Sequence, residues 1–195
     1  MQTPRLIAVE GPDGSGKTTF CLRLKAYLGA ADVAILKTPP HGLLDIARLA
    51  GPPSSLGAFL AFMAGNCIVS NAPAATPWLV LDRYLLSTLV YHFSAIERAG
   101  IDYAEFCHAA GCRGPDVTVF LNCAIETLTS RLNARSGEEP CEPDESRMLS
   151  ARFRNCLADR SLQTILGEVI DVPNETPQDL VLALCQVKER VAKRY

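Results

Sequence analysis

Short apolar runs alternate along this chain with longer stretches whose apolar residues recur at helical spacing. The runs Arg5–Glu10, Asp32–Lys37, Trp78–Asp82, Asp116–Asn122 and Glu168–Val172 are brief and rich in branched side chains, which predicts buried strands. Helical patterns fill the intervals near 17–29, 43–50, 55–71, 84–99, 102–110, 124–135, 144–160 and 177–193. Strand and helix in alternation imply an α/β fold, with parallel strands covered by helices on both faces. Two breaks punctuate the pattern. Pro39-Pro40-His41-Gly42 predicts a non-helical connection after the second strand. Ser136–Pro143, reading SGEEPCEP, is polar, carries two prolines and suits a surface loop between two helices. No repeat or low-complexity linker divides the chain, so residues 1–195 are expected to form one domain.

Composition narrows the partners. The net charge of −2 leaves no broad basic footprint for nucleic acid, while a local basic pocket for a small anion remains open. No stretch approaches the ~18 apolar residues of a membrane span, and the N-terminal residues lack a signal-peptide pattern. A cytoplasmic protein without a membrane partner is expected. The eight cysteines contain no CxxC pair and are therefore expected to be reduced thiols, mostly acting as small buried hydrophobes.

The densest chemical signal is Gly11-Pro12-Asp13-Gly14-Ser15-Gly16-Lys17-Thr18, which fits G-x-x-x-x-G-K-[ST] between a strand and a helix. Glycines let such a loop turn its amides inward, and the following helix presents its positive end to the same anion. Gly11, Asp13, Gly14, Ser15, Gly16, Lys17, Thr18 and Thr19 are the expected phosphate-binding set. Lys17 is expected at the β- and γ-phosphates of ATP, and Thr18 at Mg²⁺. Asp82 closes an apolar strand and so falls at the ligand crevice, where it is a second candidate for the metal; a helix N-cap is its structural alternative. Arg83 beside it suits bidentate binding of an acceptor phosphate. Arg131 and Arg135 share a helix face just before the polar loop, where mobile cations could close on a transferring phosphoryl group; a solvated face is the plainer alternative.

Three segments together resemble the thymidylate kinases, within the nucleoside monophosphate kinase group. They are IAVEGPDGSGKTT, LDRYLLSTLVYH and GPDVTVFLNCAIETLTSRLNAR, in the family's order. The resemblance implies a P-loop kinase three-layer sandwich with a five-stranded parallel sheet ordered 2-3-1-4-5. It also implies a lid near 135–146 and a homodimer. By position, Asp13 would approach the acceptor sugar hydroxyl, Asp82 the metal and Arg83 the acceptor phosphate. Ser15 is not basic, which moves the catalytic arginine to the lid, with Arg135 as candidate and Arg131 in support. Tyr91 and His92 fall where the family has Tyr-Gln near the nucleobase, with surface or core packing as the alternative for His92.

Two departures bear on the acceptor. The family's Arg-Glu-Pro element is replaced by Lys37-Thr38-Pro39-Pro40, and Phe62-Met63-Ala64-Gly65-Asn66 puts Asn66 where the family has an arginine facing the base. Phe62 is a candidate to stack on the acceptor ring, with core packing as its alternative. The leading expectation is Mg-ATP-dependent phosphoryl transfer to a nucleoside monophosphate-like acceptor, with the acceptor not fixed as thymidylate. An unphosphorylated acceptor, with Glu10 or Asp13 as base, and a non-catalytic nucleotide-binding protein stay open as alternatives.

Overall fold

The computed structural model describes residues 3–73, 75–134 and 143–192. Strands β1 (Arg5–Glu10), β2 (Val33–Lys37), β3 (Trp78–Asp82), β4 (Val117–Asn122) and β5 (Glu168–Pro173) form one parallel sheet in the order β2-β3-β1-β4-β5. All five expected strands are present, in the order the resemblance implied.

The strands are apolar on both faces because each face has its own core. Leu6 and Ala8 of β1, Leu79 and Leu81 of β3 and Phe120 of β4 pack into one cluster. Their neighbours Ile7, Val9, Val80, Val117, Val119 and Leu121 pack into the other. Period-two alternation thus divides one apolar run between two layers of helices. The first layer draws on α3 (Leu56–Ser70), α4 (Leu85–Tyr91), α5 (Phe93–Arg98), α6 (Tyr103–Ala109), α8 (Pro143–Ala158) and α9 (Gln163–Leu166). The second is built from α1 (Lys17–Leu28), through Phe20, Cys21 and Leu24, and α10 (Pro177–Ala192), through Leu180, Ala183, Leu184 and Val187. Helices α2 (His41–Leu49) and α7 (Ile125–Asn133) flank the carboxyl end of the sheet, which is where the chemistry-bearing residues collect.

Several boundaries differ from the sequence expectation. Helix α2 already begins at His41, capped by Pro40, so only the two prolines of Pro39-Pro40-His41-Gly42 stay outside it. The helix expected over 84–99 is two helices broken at His92, whose Nδ1 lies 2.7 Å from the Pro53 carbonyl oxygen. The short 3-10 turn Arg160–Leu162 and helix α9 had no expected counterpart. Of the expected lid, 135–142 lies outside the described residues, and 143–146 is the first turn of α8. The seven described cysteines are free thiols, five of them buried, and Cys141 lies outside the described residues. Among the described residues, no helix is long and apolar enough to cross a membrane.

Candidate active site

β1 pairs with β3 on one side and β4 on the other, so the loop after β1 leaves from the centre of the sheet. That loop passes directly into α1. Gly16 caps the helix with φ of 87°, in the left-handed region, and a Cβ there would stand 2.7 Å from the Asn174 amide nitrogen. Glycine satisfies both demands at once. Asn174 in turn donates to the Ser15 carbonyl at 2.7 Å, so the turn after β5 braces the loop from outside.

Lys17 is folded back onto its own loop, donating to the carbonyls of Gly11 at 2.9 Å and Pro12 at 2.7 Å. Burial, with Arg83 nearby, lowers its pKa to about 8. Thr18 donates to Asp82 Oδ2 at 2.6 Å. This joins the first turn of α1 to the end of β3, as the motif and the strand pattern together led us to expect. A hydroxyl and a carboxylate are both hard oxygen donors, and Mg²⁺ takes few protein ligands beside phosphate and water, so the pair fits that ion chemically. Asp13, Gly14, Gly16, Lys17, Thr18, Thr19, Lys37, Asp82 and Arg83 line a cleft of about 130 Å³ over the loop. Ser15 is instead fully buried, its hydroxyl without a hydrogen-bond partner among the described residues.

Arg83 has φ of 72°, an unusual conformation for a residue with a side chain. The surroundings hold it there. Its N–H donates to the Val9 carbonyl at 3.0 Å, and its own carbonyl accepts from Thr38 Oγ1 at 2.9 Å. Immediately after it, the fully buried Glu10 carboxylate gathers the start of α4. Oε1 accepts from the N–H groups of Tyr84 and Leu86, and Oε2 accepts from the N–H and hydroxyl of Ser87. Burial pushes the Glu10 carboxyl upward, and the Ser87 hydrogen bonds act against that. With four donors in place, Glu10 anchors the turn and has no oxygen spare for a base. Strain held this firmly is characteristic of functional sites.

The Arg83 guanidinium pairs with Asp13 Oδ1 and lies over the Tyr91 ring, 5.1 Å from its centroid. Tyr91 donates its hydroxyl to Asp13 Oδ2 at 2.9 Å, and burial pushes that phenol up to about 12, so it keeps its proton at neutral pH.

A second cavity of about 390 Å³ opens beyond Arg83, between β2, α2, α3 and α4. Its walls are largely apolar and include Phe62, Thr88, Tyr91 and His92. The Phe62 and His92 rings stand 4.6 Å apart. His92 is almost wholly buried, and burial lowers its pKa. Asn66 is not a lining residue. It is fully buried behind Thr88, to whose Oγ1 it donates at 2.8 Å, so the position expected to face an acceptor base is turned into the helix packing.

Arg131 reaches the loop, though not to line either cavity. It donates to the carbonyls of Gly14 at 3.4 Å and Glu175 at 3.1 Å, tying α7 to the loops after β1 and β5. Arg135 lies outside the described residues.

Sequence reasoning missed Lys37, which lines both cavities from the end of β2. The rule that ligands gather at the carboxyl ends of parallel strands would have found it. It also missed Thr38, Glu10 and Asn174 as supports, because their partners are 45 to 159 residues away.

No protein-family model matches the chain. Individual relatives do. A thymidylate kinase of Thermomicrobium roseum is 31% identical over 144 residues, covering 66% of this chain and 67% of the relative. A probable thymidylate kinase of Methanococcus aeolicus is 25% identical over 182 residues, covering 90% of this chain and 91% of the relative. Among solved structures, Candida albicans thymidylate kinase superposes with a TM-score of 0.69 at 19% identity, covering 98% of this chain and 92% of its own. Deoxyadenosine kinase from M. mycoides gives a TM-score of 0.66 at 15% identity, covering 97% of this chain and 100% of its own. At such identities the structures speak for the fold alone. The sequence relatives add the lineage: the chain belongs to the thymidylate kinase family and is a nucleotide kinase.

Proposed function

We propose that the chain transfers the γ-phosphoryl group of Mg-ATP to the phosphate of a nucleoside monophosphate. The observation that carries this is the junction of the two cavities. Lys37 and Arg83 line both, so two cations stand where a donor polyphosphate in the loop would meet an acceptor phosphate from the apolar side.

In this reading the amides of Gly11–Thr18 cradle the donor phosphates, and Lys17 leaves its loop carbonyls to meet them. Thr18 and Asp82 would hold Mg²⁺, which supplies charge neutralisation across the donor phosphates. Arg83 exchanges Asp13 for the acceptor phosphate and orients it in line. A phosphate oxygen of the acceptor attacks the γ-phosphorus, and the bond to the leaving diphosphate breaks. Because the attacking oxygen is already anionic, no general base is required, in keeping with the full engagement of Glu10. Asp13, freed from Arg83, and Tyr91 face the acceptor sugar. Phe62 stacks on the base with His92 beside it. With Asn66 turned away, the base is selected by shape and stacking more than by charge. Arg131 fastens the loop, and Arg135 remains the candidate for a second catalytic cation. We take the active unit to be a single domain spanning 1–195, cytoplasmic and assembled as a homodimer.

A turnover screen with Mg-ATP tests this, using nucleoside monophosphates beside the matching nucleosides, with thymidylate, uridylate and cytidylate included. The reading expects turnover of at least one monophosphate and none of its nucleoside. Equal use of the unphosphorylated partner would overturn it.

A further inference from the structure

Away from both cavities, the last turns of α3 meet the segment between α6 and β4 through a pair of thiols. Cys67 Sγ lies 2.7 Å from Cys112 Sγ. We propose that Cys67 and Cys112 form a dithiol site that closes to an intramolecular disulfide by exchange with a low-molecular-weight disulfide. This stands independently of the phosphoryl-transfer reading, since neither residue lines either cavity.

Two kinds of observation support it. The first is that side chains at the end of α3 hold the backbone of the facing segment around the pair. Asn71 Nδ2 donates to the Gly111 carbonyl at 3.0 Å, and the Arg113 N–H donates to Ser70 Oγ at 3.3 Å. Cys67 Sγ itself also contacts the Ala110 carbonyl at 3.4 Å. The thiols are therefore held in register, and bond formation needs a shift of under about 1 Å.

The second is an asymmetry that assigns each sulfur a role. Cys67 is partly exposed, whereas Cys112 is 8% exposed. Burial, reinforced by Cys67, holds the Cys112 thiol well above the usual range. Cys67 is thus the entry point and Cys112 the resolving partner. The third thiol of the neighbourhood, Cys107, is fully buried, and burial pushes it up to about 12.

The exchange balances without a further reagent. The Cys67 thiolate attacks one sulfur of oxidised glutathione and breaks its S–S bond. The first glutathione thiolate leaves and takes up the proton lost by Cys67. Cys112 then loses its proton and attacks Cys67 Sγ, and the second glutathione leaves as thiol. Two cysteine thiols are oxidised, and one glutathione disulfide is reduced to two thiols. The product links residues 45 apart in sequence and pins the helix whose earlier turns carry Ala58 and Phe62 of the larger cavity. Constraining that length of unfolded chain should raise Tm by roughly 5–10 °C.

The test is incubation of the full native chain with oxidised glutathione, followed by alkylation, digestion and mass spectrometry. The expected result is a Cys67–Cys112 cross-linked peptide with no retained glutathione, together with a Tm rise that dithiothreitol reverses. The Cys112→Ser variant should trap glutathione on Cys67, and Cys107→Ser should leave the cross-link unchanged. In the unsubstituted protein, glutathione retained on Cys67, pairing with Cys107, or unreacted thiols would each overturn the proposal, whatever the variants do.

Discussion

The phosphate loop is drawn from consecutive residues, whereas the neighbouring apolar cavity takes its walls from β2, α2, α3 and α4. The difference is one of chemistry as well as of chain order. On the proposed reading the loop works through backbone amides and one ammonium group, so its function is concentrated in a few atoms. The cavity would work through collective shape, and several of its polar members are already engaged by neighbouring residues. Thr88 accepts from Asn66, Tyr91 donates to Asp13, and His92 Nδ1 contacts the Pro53 carbonyl. Concentrated function is fragile towards single substitutions, while distributed function degrades gradually. The strained turn at Arg83 joins the two regions.

The sharpest contrast should come from Lys17→Ala. Turnover should fall about a thousandfold or more with Tm nearly unchanged, because on the proposed reading the amine serves bound phosphate, while its hydrogen bonds among the described residues go to two loop carbonyls. A stopped assay alongside thermal unfolding reads both quantities. Next in size, Arg83→Ala should lower kcat/KM for the phosphorylated acceptor roughly a hundredfold, with much less change in donor KM. An equal loss on both substrates would erase the distinction between the regions.

Donor affinity should also depend on pH. Burial lowers the Lys17 pKa to about 8 in the free protein, and on the proposed reading the ammonium form is the one that pairs with phosphate. Affinity should therefore hold at lower pH and weaken roughly tenfold per pH unit above about 8. Calorimetry across pH 7–10 tests the sign, and acceptor binding should not follow the same curve.

On the distributed side, Phe62→Ala should raise acceptor KM about tenfold and leave donor KM alone. The smallest effect is expected from Thr38→Val, which removes the hydroxyl holding the Arg83 carbonyl. It should cost about 1 kcal/mol of stability and lower kcat a few-fold, seen in denaturant titration and steady-state kinetics.

The same contrast explains what could be read from sequence. The five strands and the loop at 11–18 were legible because each is a local pattern, apolar runs in one case and a contiguous motif in the other. The break at His92 was not, since it depends on a carbonyl 39 residues earlier in the chain. Helix α9 escaped because four residues carry too little periodicity. Asn66 was placed at the acceptor by position alone, and only packing shows its amide turned towards Thr88. Arg83 was legible as a cation at a strand end. Its left-handed backbone and its bracing by Glu10 and Thr38 were not, because those contacts cross three strands.

The junction at Arg83 is tested most directly by binding a bisubstrate probe, adenosine joined through five phosphates to the nucleoside whose monophosphate is turned over best. If the loop and the apolar cavity form one continuous site, the probe should bind far more tightly than ATP or that monophosphate alone. It should also lose affinity in both Lys17→Ala and Arg83→Ala. Binding no tighter than ATP, and indifferent to Arg83→Ala, would contradict the account.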